Sequence, residues 1–192
     1  MTSPSHPVAP VPNAKLLLDG AAIDRILRRI ASEIIERHND ALERLVLVGI
    51  PSRGVEISRR LVEQIRNAEG KTVESGIIDV SMHRDDLQLR PRLSPLVASH
   101  LPPDLSDRTL VLVDDVLFSG RTCRAAMDAI SSFGRPARIE YAVLIDRGHR
   151  ELPIRADYIG KKVSTRAGER VFVRFHAVDQ VGDAVWVSQS LE

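Results

Sequence analysis

The chain has a single cysteine among its 192 residues, Cys123. One thiol excludes an internal disulfide framework and a multi-cysteine zinc site. No apolar run approaches the roughly 18 residues of a membrane span. The N-terminus lacks the basic-then-apolar order of a secretory signal. These absences predict a cytoplasmic protein with no membrane partner. Aromatic residues make up 4% of the chain, too few for an array of exposed rings on which bases could stack. Neither sign of charge dominates. Lys and Arg number 27 against 26 Asp and Glu, a formal net charge of +1. A polyanionic partner would therefore need basic residues gathered on one face. Two phosphate signatures are missing, G-x-x-x-x-G-K-[ST] and G-x-G-x-x-G, which disfavours an ATPase or a dinucleotide dehydrogenase. The six histidines are scattered, with no H-E-x-x-H and no close pair, so no dedicated protein metal site is expected.

What is present suits one soluble domain, since 43% of residues are apolar and 28% charged. Residues 1–14 carry Pro4, Pro7, Pro10 and Pro12 and few core formers, and read as a flexible tail; residues 15–192 read as the domain. From Asp19 the pattern becomes helical. Ile23, Ile26, Leu27, Ile30 and Ile34 recur at helical spacing, Asp19 or Gly20 starts the helix, and residues 38–40 end it. The run RLVLVGI (44–50) predicts a strand covered on both faces. Residues 52–70 predict a loop and a helix ended by Gly70, and residues 73–82 a further strand. The polar, proline-containing stretch 83–108 predicts a long functional loop. TLVLVDD (109–115) is the third core strand. Residues 120–134 form a helix with Ala126, Met127, Ile130 and Phe133 inward, and residues 138–146 the fourth strand. Strands alternating with helices predict an α/β fold with a parallel sheet and a ligand site outside the carboxyl ends of its strands.

The stretch LVLVDDVLFSGRT (110–122) ends an apolar strand on two adjacent carboxylates and a small-residue turn. Backbone amides of such a turn, with the helix N-terminus that follows, form an anion cradle. Gly120 allows close approach, and Ser119 and Thr122 add hydroxyl donors. Asp114 and Asp115 would repel a phosphate; they suit sugar hydroxyls or the magnesium that accompanies phosphates. Cradle plus diol-binding carboxylates points to a phosphorylated sugar. A plain turn with solvated aspartates and a helix cap also fits the spacing.

Strand, Asp-Asp, small turn and Thr resemble the phosphoribosyl-pyrophosphate (PRPP) motif of type I phosphoribosyltransferases. Further segments narrow the likeness: VGIPSRG (48–54), MHRDDL (82–87), VDDVLFSGRT (113–122) and VLIDRGHRELPIRADYIGK (143–161). Across about residues 15–187 the chain resembles the bacterial bifunctional pyrimidine operon regulators that are also uracil phosphoribosyltransferases. The last segment is the most diagnostic, because the PRPP motif is shared across the superfamily. The resemblance implies a type I phosphoribosyltransferase fold, a mainly parallel twisted sheet flanked by helices with a small hood. It implies conversion of uracil and PRPP to UMP and pyrophosphate, and UMP-promoted binding of the leader of pyrimidine biosynthesis (pyr) mRNA. It also implies a homodimer or higher oligomer, with Mg2+ arriving bound to PRPP.

Residue roles follow from the same resemblance. Asp114 and Asp115 would hold the ribose hydroxyls and support the oxocarbenium-like carbon. Val116, Leu117, Phe118, Ser119, Gly120, Arg121 and Thr122 would cradle the 5′-phosphate. Ser52, Arg53 and Gly54 would form the pyrophosphate loop, where the family commonly carries a non-proline cis peptide, here expected at Ser52–Arg53. An ordinary strand-to-helix turn with an exposed arginine fits that spacing too. Arg84 and Asp85 open the long loop and would reach the pyrophosphate as it closes; a solvated charge cluster is the alternative. Ile145, Asp146, Arg147 and Gly148 would read the polar edge of uracil, although Asp146 and Arg147 also fit a structural ion pair. The implied RNA face comprises Arg28, Arg29 and Arg37 on the first helix and His149, Arg150, Arg155 and Lys161 late in the chain. His149 alone would pass for a turn residue, and the arginines for solvated helix charges. Two positions depart from the family pattern: Ser32 stands where relatives carry histidine, and Arg28 where they carry threonine.

Overall fold

The computed structural model describes residues 10–81, 98–166 and 168–189. Five parallel strands form the main sheet, in the order β3 (Glu74–Ile77), β2 (Leu45–Gly49), β4 (Thr109–Leu117), β5 (Arg138–Asp146) and β6 (Tyr158–Lys162). Helices α1 (Gly20–His38), α2 (Arg53–Glu69) and α3 (Arg121–Ser131) cover it. A separate antiparallel sheet joins β1 (Ala14–Asp19), β8 (Ala184–Gln189) and β7 (Glu169–Arg174). A short helix, α4 (His176–Asp179), leads from β7 back towards β8. This three-stranded unit is the hood, placed across the carboxyl end of the parallel sheet by contacts of β7 with β4 and of α4 with α2.

The continuous apolar runs have a simple cause. Successive side chains of a strand point to opposite faces, and both faces here are covered. Leu45 and Leu47 of β2, Val111 and Val113 of β4, and Ala142 and Leu144 of β5 join one core with α1, α2 and the hood. Their alternates, Val46, Val48, Leu110, Leu112, Tyr141 and Val143, join a second core with α3. Each fully buried Leu or Ile contributes about 1.5–3 kcal/mol. Helix α1 begins where expected: the Asp19 carboxylate accepts from the Ala22 amide at 2.7 Å, a side-chain N-cap. Ile23, Leu27, Ile30 and Ile34 form its buried stripe. Gly70 caps α2 with left-handed backbone, as the pattern predicted.

Four expectations on local structure change. Strand β4 does not stop at Asp115 but runs through Leu117, because Val116 and Leu117 go on pairing with Ile145 and Asp146 of β5. The acidic pair therefore lies within the strand. The strand expected over 73–82 is regular only from Glu74 to Ile77, where Ile77 exchanges two backbone hydrogen bonds with His100, at 2.7 and 2.8 Å. Helix α3 ends at Ser131. Ser132 and Phe133 donate to carbonyls three residues back, which tightens the last turn and turns Phe133 off the apolar stripe. Phe133 is consequently 45% exposed rather than inward. The expected tail over 1–14 lies mostly outside the described residues, and Ala14 already pairs with Ser188 in β1. No helix among the described residues is long and apolar enough to cross a membrane.

Candidate active site

At the carboxyl end of the parallel sheet, under the hood, lies a cavity of about 820 Å³. Its walls come from residues 50–53 after β2, residues 114–123 from β4 into α3, and Tyr141, Arg147, Glu151 and Val171. Segments distant in sequence meet there because parallel strands all deliver their loops to the same edge.

Asp114 is buried, 6% exposed. Its carboxylate accepts from the Tyr141 hydroxyl at 3.1 Å and from the Asp115 amide at 2.9 Å. Burial, then the adjacent Asp115 charge, pushes its carboxyl well above the usual carboxylate range. Asp115 is half-buried and accepts from the Val116 amide at 3.0 Å. Two neighbouring carboxylates without a buried cation are costly unless a ligand meets them. Burial and Asp114 also drive the Tyr141 hydroxyl far above its ordinary value, so it stays a neutral donor. Beside them the buried Cys123 thiol is pushed up to about 12 by burial and then by the Asp114 charge, so it is protonated and unreactive.

After β4 the chain turns through Phe118 and Ser119 to Gly120, whose φ of 94° is left-handed backbone that favours glycine. Helix α3 starts at Arg121, and its first residues Arg121, Thr122 and Cys123 line the cavity. The carbonyl of Ser119 accepts from the amides of Glu151 and Leu152, at 3.0 and 3.1 Å, which ties the turn to the segment after β5. Arg121 reaches Glu151 at 2.7 Å.

The loop after β2 holds a non-proline cis peptide between Pro51 and Ser52, one bond before the expected Ser52–Arg53. The reason is where α2 begins. Ser52 already has right-handed helical backbone and Arg53 is the first helical residue, so the bond joining them belongs to the trans helix. Gly54 is forced by proximity: a Cβ there would lie 2.3 Å from the Val113 carbonyl oxygen. Arg53 is not the exposed side chain of an ordinary turn. Its guanidinium donates to Asp179 of the hood at 2.6 Å. Arg84 and Asp85 lie outside the described residues.

From the end of β5 and the segment after it, Arg147 and Glu151 line the cavity, whereas Ile145, Asp146 and Gly148 do not. Ile145 is buried in β5 and Gly148 is exposed, with left-handed backbone. Asp146 and Arg147 do not pair with each other. Asp146 binds Arg150 at 2.6 Å and accepts from the Gly148 amide at 3.0 Å. Arg147 is buried, 7% exposed, and donates to Thr165 Oγ1 and the Glu169 carbonyl, at 3.2 and 2.5 Å. It lies over the Phe118 ring, 4.4 Å from its centroid. Burial holds its guanidinium below the ordinary value. Arg147 also borders a second recess of about 530 Å³ with Asp146, His149, Arg150, Arg155 and Lys162.

Helix α1 packs on β6, which brings Arg29 and Arg37 of α1 against residues 157–160. Arg29 pairs with Glu33 and donates to the carbonyls of Ile159 and Gly160, at 3.0 and 2.6 Å. Arg37 reaches Asp157 at 3.4 Å and covers the Tyr158 ring. These two arginines thus anchor the helix. Arg28, Arg155 and Lys161 are exposed and carry no ion pair to another described residue. The Ser32 hydroxyl turns back to the Arg28 carbonyl at 3.0 Å rather than outwards. His149, with left-handed backbone, places Nε2 2.6 Å from the Thr165 carbonyl oxygen and its ring beside Phe118.

Sequence reasoning missed Tyr141, Glu151, Thr165 and Asp179. Tyr141, Thr165 and Asp179 lie outside the diagnostic segments, and Glu151 lies within 143–161 but carried no assigned role. The signal for Tyr141 is its position on the strand paired with β4, and for Asp179 only the tertiary contact with Arg53.

Among the described residues no group of three or more His, Cys, Asp or Glu side chains could hold a metal ion. The acid pair at the cavity instead suits light contact with a magnesium ion carried by a phosphorylated ligand.

The fold, the acid pair in the third core strand and the glycine turn that follows define a phosphoribosyl-transfer architecture. Residues 13–176 match the phosphoribosyl transferase domain family. A hypoxanthine phosphoribosyltransferase from Trypanosoma cruzi, solved with its product IMP, superposes with a TM-score of 0.70 at 16% identity, covering 94% of this chain and 97% of that one. The chain is 53% identical to the bifunctional protein PyrR of Chloroflexus aurantiacus, over 90% of this chain and 94% of the relative. It is 51% identical to that of Bacillus pumilus, over 86% and 92%. The chain belongs to the phosphoribosyl transferase domain family and, within it, to the bifunctional PyrR proteins.

Proposed function

We propose that the protein converts uracil and PRPP to UMP and pyrophosphate, and that it binds the leader of pyr mRNA in response to UMP. One observation carries this reading: the acid pair and phosphate turn share a single cavity with the segment after β5, and Arg147 of that segment also borders the basic recess.

The chemistry is positioning and electrostatics. As the C1–O bond breaks, positive charge grows on the ribose and negative charge on the leaving pyrophosphate. Asp114 and Asp115 hold the ribose hydroxyls and place negative charge near the forming cation. The site has already met the cost of burying Asp114, so the carboxylate gains a partner only as substrate charge develops. Residues 116–122 cradle the 5′-phosphate with turn amides, hydroxyls and the N-terminus of α3. Ser52, Arg53 and Gly54 meet the pyrophosphate, and Arg84 and Asp85 are assigned to it by resemblance. A bound magnesium supplies charge neutralisation of the diphosphate, and Asp114 and Asp115 are the carboxylates that would meet it. Backbone groups of residues 145–148 read the uracil edge.

The RNA face comprises Arg28, Arg29, Arg37, His149, Arg150, Arg155 and Lys161. The packing of α1 on β6 supports gathering them on one surface, which is what phosphate neutralisation requires. The protein acts in the cytoplasm as a homodimer or larger assembly.

The test has two arms. UMP formation from uracil and PRPP is measured, and so is binding of the organism's own leader RNA with and without UMP. Turnover without RNA binding would leave an enzyme alone; UMP-dependent RNA binding without turnover would leave a sensor. Turnover with hypoxanthine or adenine but not uracil would overturn the base assignment. Replacing Arg28 and Arg29 together by Ala is expected to weaken RNA binding and to lower its salt slope by about 2, with catalysis spared. An unchanged RNA affinity would remove α1 from the face.

A further inference from the structure

Two acidic residues of the hood clip it onto helix α2. Asp183 binds Arg60 and accepts from the His176 amide at 2.8 Å, and Arg60 also binds Glu56 at 2.7 Å and covers the Phe175 ring. Asp179 binds Arg53, the first residue of α2 and part of the cavity wall. Neither Arg60 nor Asp183 lines the cavity, whereas Arg53 does.

The surroundings of Asp179 make it a fixed point. Its side chain is 7% exposed. Oδ1 accepts from Arg53 at 2.6 Å and from Arg174 at 2.8 Å, and Oδ2 accepts from the Phe175 amide at 3.0 Å. Burial opposes its charge, but the Phe175 amide and the two guanidiniums outweigh that and hold its carboxyl below the usual range. A carboxylate so held stays ionised and cannot swing away. Arg53 gains a defined direction from it, while its Nε is buried and meets no acceptor among the described residues. Two guanidiniums share one carboxylate, so the trio keeps one net positive charge beside the cavity. Arginine without such a partner would sample many rotamers and lose that entropy on binding an anion.

We infer that Asp179 is a positioning residue for the pyrophosphate end of PRPP: from the hood, it aims Arg53 into the cavity. The inference rests on the phosphoribosyl-transfer reading, through Arg53 as a pyrophosphate ligand. Asp179 does not line the cavity itself, so it acts only through Arg53.

Simple Coulomb reasoning predicts the opposite outcome. Removing a negative charge near a polyanion site should tighten PRPP binding. If aiming dominates, Asp179→Asn weakens PRPP binding roughly tenfold, measured by calorimetry on the full chain with magnesium-PRPP, and raises KM for PRPP more than it lowers kcat. Asp179→Glu, with its carboxylate one methylene away, gives an intermediate affinity. Asp183→Asn loosens the other clip and leaves PRPP affinity within about twofold. In an Arg53→Gln background, Asp179→Asn causes no further loss, because the residue it aims is gone. Unchanged or tighter PRPP binding by Asp179→Asn overturns the inference. So does an equal loss in Asp183→Asn, which would make hood docking the cause. Should Asp179→Asn fail to fold, Asp179→Glu decides, and wild-type affinity in it overturns the inference. Wild-type protein that binds PRPP but makes no UMP would break the uracil reading and leave this inference to stand on the binding data. Wild-type protein that binds no PRPP would overturn both.

Discussion

Asp114 and Glu140 are both buried carboxylates in the parallel sheet, on adjacent strands, and their surroundings are opposed. Glu140, near the amino end of β5, accepts from the Tyr158 hydroxyl at 2.6 Å and lies 2.9 Å from His38 Nε2, with Arg37 and Arg138 close by. Burial disfavours its charge, but Tyr158, His38 and Arg37 prevail and hold its carboxyl below the usual range. Asp114, near the carboxyl end of β4, has another carboxylate beside it and a single hydroxyl donor, and is held above that range. The first is a satisfied structural acid. The second meets a hydroxyl and an amide but no cation among the described residues, at the edge that opens on the cavity. Buried charge without a partner costs stability, and that cost is tolerated where substrate supplies the partner.

Three substitutions test how far this contrast goes. The largest effect is expected at the cavity end. Replacing Asp114 and Asp115 together by Asn should lower kcat/KM for UMP formation by about 10³ or more, with folding retained. An unchanged kcat/KM would remove the pair from ribose binding. At the other end, Glu140→Ala should leave turnover per folded molecule nearly intact but destabilise the fold by about 3 kcal/mol, read by denaturant unfolding. A loss below about 0.5 kcal/mol would show that the Tyr158–His38–Arg37 cluster does not depend on its acid.

The smallest effect has opposite pH signatures at the two sites. Glu140 is held below its unfolded value near 4.3, so its contribution is present above that pH and is lost as pH falls through the folded pKa. Asp114 is held above its unfolded value near 3.9, so its contribution is complete below that pH and is lost as pH rises through the folded pKa. Asp114→Asn alone should therefore raise Tm by about 2–4 °C at pH 8 and leave it unchanged at pH 4, while activity falls. An equal shift at both pH values would mean that the gain is not electrostatic.

Much of the scaffold was legible before folding was considered. The N-cap at Asp19, the end of α2 at Gly70, the strands LVLVG and RIEYAVLID and the glycine turn at 120 depend on neighbours within a few residues. Phe133 was misplaced because its apolar character fits the helical stripe, whereas the helix tightens one turn too early to use it. The acid pair was legible as chemistry but not as environment. Its hydroxyl donor Tyr141 is 27 residues away on the neighbouring strand. The separation of Asp146 from Arg147 was equally hidden: Asp146 ends β5 and pairs with Arg150, whereas Arg147 lies beyond the strand and reaches Thr165 and the Glu169 carbonyl.

The sequence alone determined the alternation of strand and helix and the acid pair with its glycine turn, and pointed by resemblance to the segment after β5 and the basic residues. Apolar period, capping and turn chemistry act over a few residues and are written locally. Only the tertiary structure decided that Arg53 answers to Asp179, 126 residues later, that His38 meets Glu140 across 102 residues, and that α1 packs on β6. Such pairings depend on strand order and hood placement. These are set by burying both faces of the sheet at once, a condition on the whole chain rather than on any segment of it.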